Sequence, residues 1–307
     1  MDILTLERFT RRSENAALEA TSKTHGLTNV FNASLALFGG STFMAFRAES
    51  FPGERPFRAF VAEYADGREV ALVDITAAAT PGRDIAKTAD PKLVELGGML
   101  YVTYNTGNVH VGQNDIFLQR IAPTPGPPQR CVLEGRRPVE KNWGFFSLPD
   151  GSVGVVYSLA PAKVLELIAG TPGGEEDLVF APRTEESDLP HRFPRLHIGS
   201  QPLIVSGTRA IIAANQQRPI PGIPRKIYFG RLAEFDLATG RLTRLSRRGL
   251  LHSWRHALPQ RTRHNPGLLS ATYFAGLART DAGLLLSYGV NDTAFGIARV
   301  PEDVAWR

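Results

Sequence analysis

The sequence predicts an all-β fold that repeats one hairpin around a ring. Three observations carry this. Two apolar stretches joined at a glycine turn recur along the chain, with turn glycines Gly40, Gly98, Gly151, Gly207 and Gly283 at near-regular spacing. Within the best copy, Leu93, Val94 and Leu96 fill one strand, while Leu100, Val102 and Tyr104 alternate in the next, the period of a strand with one buried face. No long helical pattern follows residue 24. Hairpins repeating at intervals of 53 to 76 residues indicate radial repetition, one unit per blade around a channel. The expectation is a five-bladed β-propeller in one domain over 25–307, with 1–24 as an extension available to close the ring.

The elements follow in order. Ile3–Leu6 reads as a strand, and Ser13–Ala20 as a short helix capped by Ser13. The first unit, 27–75, holds the Gly39-Gly40 hairpin and two more strands, Phe57–Tyr64 and Val70–Ile75, split at Asp66-Gly67. The second, about 84–121, opens at Asp90-Pro91. Proline restricts the residue before it to extended geometry, which places Asp90 at a strand entrance. Pro123–Pro128 reads as a stiff connector to a third unit at about 130–180. The fourth covers about 196–245 and the fifth about 266–300. Polar residues at matching points of the units (Asn32, Asp90, Asn142 and Gln201) would then meet at one end of the channel.

Composition bounds the function. Hydrophobic residues make up 43% and charged residues 21%, enough for a packed core and against general disorder. No apolar run is long enough to span a membrane. The sequence begins Met-Asp-Ile-Leu-Thr-Leu-Glu-Arg, which is not a secretory signal, and Cys131 is the single cysteine; a reducing cytoplasm is the expected location. The net charge is +5, and Arg241, Arg244, Arg247, Arg248, Arg255, Arg261 and Arg263 form a stretch without an acid. Such a stretch suits an anionic ligand or partner, or is simply a solvated face. No nucleic-acid-binding signature accompanies it, so nucleic acid is not expected. Homo-oligomer formation is left open.

The chemistry-bearing residues are few. There is no Gly-x-Ser-x-Gly elbow, no Walker A loop and no Gly-x-Gly-x-x-Gly turn. His252 and His256 are four apart, but with no acid nearby they read as a basic surface patch and not as metal ligands. Asp90 reads either as a general acid at the mouth of a channel or as an aspartate that caps a turn. Asp292 follows the last repeat strand and has the same two readings. Arg47 closes the first hairpin, and Lys141 precedes the third; each is an anion contact or a surface charge. Trp143 and Trp254 could stack on sugar rings or pack in the core.

These residues resemble glycoside hydrolase family 130, the β-mannoside phosphorylases and their relatives, over roughly 28–300. Asn32-Ala-Ser with Arg47 resembles the family's first-blade sugar-binding segment. Asp90-Pro-Lys resembles its Glu-Asp-Pro-Arg segment, whose aspartate is the general acid. Lys141-Asn-Trp resembles a Lys-Asp segment near bound phosphate. Tyr288-Gly-Val-Asn-Asp-Thr resembles the closing Tyr-Gly-Ala-Ala-Asp-Thr motif, whose aspartate contacts sugar. The chain departs from the pattern at Ala89 (Glu in the family), Lys92 (Arg), Asn215 (a phosphate-binding histidine) and near Leu159-Ala160 (a basic residue).

The resemblance implies a carbohydrate-active enzyme that cleaves or forms a β-mannoside-like bond by inverting displacement, as a phosphorylase or a hydrolase. Asp90 would be catalytic. Asn32, Arg47, Lys141, Asn142, Gln201, Asn215 and Asp292 would bind an oligosaccharide or glycoside. No cofactor is implied beyond inorganic phosphate as a co-substrate. A glycosyltransferase on the same fold, with a nucleotide-sugar or sugar-phosphate donor met by 241–263, is one alternative; a non-catalytic propeller that binds glycan or protein is another.

Overall fold

The computed structural model describes residues 2–54, 56–79, 87–106, 114–184, 195–220, 222–257 and 268–307. Side chains are described within these except at 220, 223–225, 256, 257 and 268. The chain is all-β. After β1 (Ile3–Thr5) and helix α1 (Arg12–Thr24), the first unit contains β2 (Thr28–Phe38), β3 (Ser41–Glu49), β4 (Arg58–Ala65) and β5 (Arg68–Asp74), followed by the short helix α2 (Ile75–Ala79). The second contains β6 (Ala89–Leu96), β7 (Met99–Asn105), β8 (Ile116–Ala122) and β9 (Pro128–Leu133). The third contains β10 (Gly144–Ser147), β11 (Val153–Leu159), β12 (Ala162–Ala169) and β13 (Leu178–Pro182). In the fourth, β14 (Leu196–Ile198) and β15 (Leu203–Ser206) both pair with β16 (Arg209–Ile220), which pairs with β17 (Ile223–Asp236), and β17 with β18 (Arg241–Leu245). After β19 (Gly249–Leu251), the fifth contains β20 (Leu268–Thr280), β21 (Gly283–Val290) and β22 (Ala294–Val300), and α3 (Glu302–Trp306) follows.

Each unit is an antiparallel meander, and all five expected glycine turns close a hairpin. Gly97 and Gly98 have φ of 56° and 73°, the pair of left-handed residues that a two-residue hairpin matching the strand twist requires. Parallel pairings join the second unit to the third (β9 with β13) and the fourth to the fifth (β17 with β20).

Among the described residues the core divides into five clusters. Phe43, Val61, Leu93 and Tyr104 fill the space between the first and second units. Leu118, Trp143, Phe145 and Phe180 fill that between the second and third. Phe146, Val164, Ile212 and Phe235 lie between the third and fourth. Ile211, Leu232, Phe274 and Tyr288 lie between the fourth and fifth. The last cluster, with Ala33, Leu35, Phe46, Leu285 and Ile297, lies between the fifth and the first. The order of units is therefore cyclic, and β2 packs on both β6 and β20.

Among the described residues, the first strands of four units have an edge that no strand covers, and in the fifth β17 covers only the start of β20; the N–H groups left over need partners. Neighbouring side chains supply them. Ser287 Oγ accepts from Leu35 N at 3.0 Å, and Ser34 Oγ from Leu93 N at 3.1 Å. Gln201 Oε1 accepts from Phe145 N at 2.6 Å while its Nε2 donates to the Trp143 carbonyl at 3.3 Å. Asn215 Oδ1 accepts from Phe274 N at 2.8 Å and its Nδ2 donates to the Phe274 carbonyl at 3.1 Å.

The structure corrects several expectations. Helix α1 begins at Arg12 with Arg11 as its N-cap; the Ser13 hydroxyl bonds the Glu14 carboxylate and caps nothing. Pro123–Pro127 is the hairpin loop between β8 and β9 and Pro128 opens β9, inside the second unit, whose core the apolar Cys131 and Leu133 side chains complete. Asp90 is not extended: its φ is +51°, at a bulge where the β6–β7 register shifts between Ala89 and Lys92. Aspartate tolerates the left-handed region, and a bulge at an uncovered edge accommodates the following proline. The N-terminal residues attach to two units: β1 pairs with β19, and Asn15 exchanges hydrogen bonds with Ile297. Among the described residues no helix is long and apolar enough to cross a membrane.

Replacing Gln201 with Ala strips Phe145 N and the Trp143 carbonyl of a partner at once. Leaving buried amide groups unpaired costs about 1–3 kcal/mol, so urea denaturation should show a loss of that order with an unchanged denaturant slope. An unaltered midpoint would show that these side-chain bonds do not hold the units together.

Candidate functional site

A cleft of about 410 Å³ lies beside the entrances to β6 and β10. Asp90, Asn142 and Tyr273 stand together in it. Arg137, Lys141, Tyr157, Leu159 and Ala160 line one wall, and Arg195, His197, Asn215, Gln217 and Tyr228 another. The backbone explains why polar side chains gather here. Asn32, Asp90 and Asn142 all have left-handed φ, of 53°, 51° and 58°, at matching points in three units. By spacing, the fourth unit's counterpart is Gly199. A Cβ there would meet the Ala213 carbonyl at 2.1 Å, so no side chain fits.

Asp90 is held from one side. Arg47 Nη1 lies 3.8 Å from Asp90 Oδ1, with side-chain exposures of 11% and 19%. The guanidinium rests 5.1 Å from the Phe31 ring and 5.3 Å from the Phe57 ring, so aromatic faces fix its position. Lys92, one residue beyond Pro91, is 1% exposed. Its amine donates to Asn142 Oδ1 at 2.9 Å, and the Tyr273 hydroxyl donates to the same oxygen at 2.6 Å. Burial pushes the Lys92 amine down to about 7, partly opposed by the Asp90 carboxylate. Burial, with Asp90 adding to it, raises the Tyr273 hydroxyl well above its ordinary value, so it is a donor at neutral pH.

The wall that carries Lys141 is cationic. Tyr157 has Arg137 5.6 Å from its ring on one contact and Lys163 at 5.7 Å on another. Glu140 belongs to this wall and is 3% exposed. Its carboxylate accepts from the Tyr157 hydroxyl at 2.7 Å, Trp143 Nε1 at 3.0 Å and Arg137 N at 2.8 Å. Burial, reinforced by Glu140, raises the Tyr157 hydroxyl to about 12. Burial, Arg137 and Lys226 together lower His197, which leaves its imidazole neutral near pH 7. Lys87 is also lowered, by burial and then by Arg47, with Asp90 opposing.

The structure brings some expected residues together and leaves others apart. Asp90, Lys141, Asn142 and Asn215 line the cleft, and Arg47 reaches it through Asp90. Asp292 sits in the β21–β22 turn with φ of 56° and acts electrostatically on Tyr228 and Tyr273. Asn32 is 4% exposed and faces Gly289; its Oδ1 has no hydrogen-bond partner among the described residues. Gln201 is not in this cleft. It lines a different hollow, of about 450 Å³, with Leu35, Leu93, Ser147 and Leu277 further along the first strands. Both ends of the Gln201 and Asn215 amides are spent on backbone, which makes them fasteners between units.

Trp143 is packed among Phe145, Tyr157 and Phe180, and Trp254 is 57% exposed in a single 3-10 turn. His252 Nδ1 meets the Tyr288 hydroxyl at 3.0 Å, while the His256 side chain lies outside the described residues. None of the basic 241–263 segment's described residues lines the cleft. Arg244 lies 4.3 Å from the Trp306 ring and Arg248 pairs with Asp2, whereas Arg261 and Arg263 fall outside the described residues.

Sequence reasoning missed Tyr273, Lys92, His197 and Arg137 as site residues. Nothing in the sequence marks Tyr273, and Lys92 stands out there only as a departure from the family pattern. His197 had no signal of its own: it reaches the cleft because β14 pairs His197 with Asn215.

No protein-family model and no curated protein matches the chain. Solved structures do share its fold. A candidate glycoside hydrolase from Parabacteroides distasonis superposes with a TM-score of 0.61 at 16% identity, covering 90% of this chain and 88% of that one. A structure from the glycoside hydrolase family 130 mannoside phosphorylases, a family containing hydrolases that target β-1,2-mannosidic linkages in Candida mannan, superposes at 0.60 with 14% identity, covering 90% and 85%. The β-1,2-mannobiose phosphorylase of Listeria innocua superposes at 0.57 with 11% identity, covering 90% of each chain. The all-β fold of this chain is therefore one that glycoside phosphorylases and hydrolases also use.

Proposed function

We propose that the protein is a five-bladed β-propeller in one domain, closed by its N-terminal residues, that cleaves or forms a β-mannoside-like bond by inverting displacement with phosphate as the attacking group. Five hairpin units and five core clusters in cyclic order support the architecture.

One observation carries the reaction. Asp90 shares its cleft with Arg137, Lys141, Arg195 and His197, and the other carboxylate among the described lining residues, Glu140, is committed to three donors. An inverting hydrolase needs a second carboxylate to activate water across the ring. Phosphate is already a nucleophile and needs cations to hold it. In this reading Asp90 gives its proton toward the leaving oxygen, and Arg47 fixes the carboxyl group. The Asn142 NH2 group and Asp292 contact sugar hydroxyls, and Lys141 with Arg137 meets the phosphate. The histidine that the resemblance implied at 215 is replaced by Asn215, but His197 stands directly opposite it on the adjacent strand. The glycosyltransferase reading drew on the 241–263 arginines, and those described lie away from the cleft.

The test is incubation with β-mannobiosides with and without inorganic phosphate, followed by detection of sugar 1-phosphate. Phosphate-dependent release is expected, reduced about 10²–10⁴-fold in Asp90→Asn, the usual range for loss of a positioned acid. Turnover equal in the absence of phosphate would replace this reading with hydrolysis. Sugar binding without turnover under either condition would leave a glycan-binding propeller.

A second prediction concerns His197. In the free protein its NMR titration should lie below the ordinary histidine value, because burial and two cations oppose its charge. A phosphate seated against Arg137 and Lys141 adds negative charge, so the midpoint should rise when phosphate is added. An unmoved midpoint would place the anion elsewhere.

A further inference from the structure

Lys92 is enclosed by protein and does not itself line the cleft. Its amine donates to Asn142 Oδ1 at 2.9 Å, reaches the Ile198 carbonyl at 3.5 Å and lies 5.7 Å from the centre of the Tyr273 ring. An ammonium group has donors only. It therefore compels the Asn142 carboxamide to turn its oxygen inward, where the Tyr273 hydroxyl is a second donor. The NH2 end then faces away, and among the described residues it makes no hydrogen bond. Asn142 lines the cleft, so this end is presented to whatever binds there.

Losing one proton to solvent changes the constraint. A neutral amine has a lone pair that accepts from an NH2 group, and the Tyr273 hydroxyl accepts as readily as it donates. The carboxamide can then turn over and present its oxygen. Sugar hydroxyls that accept a hydrogen bond from the NH2 end would lose it.

We propose that Lys92 is a positioning residue, whose ammonium proton locks the Asn142 carboxamide with its NH2 group turned into the cleft. The proposal rests on the reading of this cleft as a glycoside site and adds a control that the reading does not contain. Because burial brings the amine to about 7, the lock opens across the neutral range. The charged and titratable groups around it are Asp90 on the same strand, Arg47 on β3 paired with Asp90, and Tyr273 on β20. Tyr228 on β17 and Asp292 in the β21–β22 turn act on Tyr273, while Lys141 and His197 flank Asn142 and Ile198 in sequence. Asp90 is the one that acts directly on the Lys92 amine, and it favours the locked form.

The test titrates the whole protein, with labelled lysine and asparagine side chains, from about pH 6 to about pH 8.5, a window that brackets the transition. The Lys92 resonance should titrate near neutrality, and the Asn142 side-chain amide should shift with the same midpoint. Lys92→Arg keeps the charge and should abolish that midpoint at Asn142. Should this variant not fold, Tyr273→Phe removes the other donor and should enlarge the Asn142 change. Affinity for β-1,2-mannobiose, measured by calorimetry, should fall about fivefold across the window in the wild type, as for one lost hydrogen bond, and stay flat in Lys92→Arg. An Asn142 amide indifferent to pH, or a Lys92 that stays charged throughout, overturns the proposal. Absence of mannobiose binding at every pH would overturn the glycoside reading instead, with the Asn142 titration still deciding the role of Lys92.

Discussion

The structure depends on an edge that no strand covers. Each unit's first strand has an edge that is wholly or largely without a strand partner among the described residues, and main-chain groups there are costly to leave unpaired. Side chains of the adjacent unit meet that need at Leu35, Leu93, Phe145 and Phe274. Between the second and third units the link is Lys92 to Asn142. Four of these five links use neutral side chains, and one of those, Asn215, also lines the cleft. The fifth uses a buried lysine and a cleft-lining asparagine. The units are thus fastened and the cleft organised by the same kind of contact, and at two junctions by the same residues.

The cleft's lining follows from where left-handed residues fall. Such a residue swings its side chain out of the alternation between sheet faces. Asn32 within β2, Asp90 at the start of β6 and Asn142 just before β10 have this backbone, and asparagine and aspartate are the side chains that tolerate it. The fourth unit has Gly199 there, packed against backbone too closely for a Cβ. What the fourth unit contributes instead comes from β14 and β16, as His197, Asn215 and Gln217. The result is an asymmetric cleft, with a carboxyl group on one side and cations on the other.

Much of this was legible in the sequence. The five turn glycines, the unit boundaries at 196–245 and the convergence of Asp90 with Asn142 are local patterns, and local patterns survive folding. Other features were not legible because they depend on partners distant in sequence. Gln201 resembles Asn32 and Asp90 as a polar residue ahead of a hairpin, yet it stands two residues past Gly199 and its amide is consumed by Phe145 and Trp143. The left-handed φ of Asp90 overrode the extended geometry expected before proline, since a bulge is decided by register with β7 and not by the dipeptide. His197 became a site residue only through its pairing with Asn215. The arginines of 241–263 were conspicuous as a run, but those described are spent on Trp306 and Asp2 or lie outside the cleft.

The central claim is that one cleft joins a proton donor, Asp90, to a cationic anion seat. A crystal structure of Asp90→Asn with β-1,2-mannobiose and inorganic phosphate tests it most directly. The account predicts the glycosidic oxygen beside residue 90 and the phosphate against Lys141, Arg137 and His197, on the opposite face of the sugar from the leaving group. Sugar bound at the far hollow beside Gln201, or phosphate seated outside the cleft while the sugar occupies it, would contradict the account.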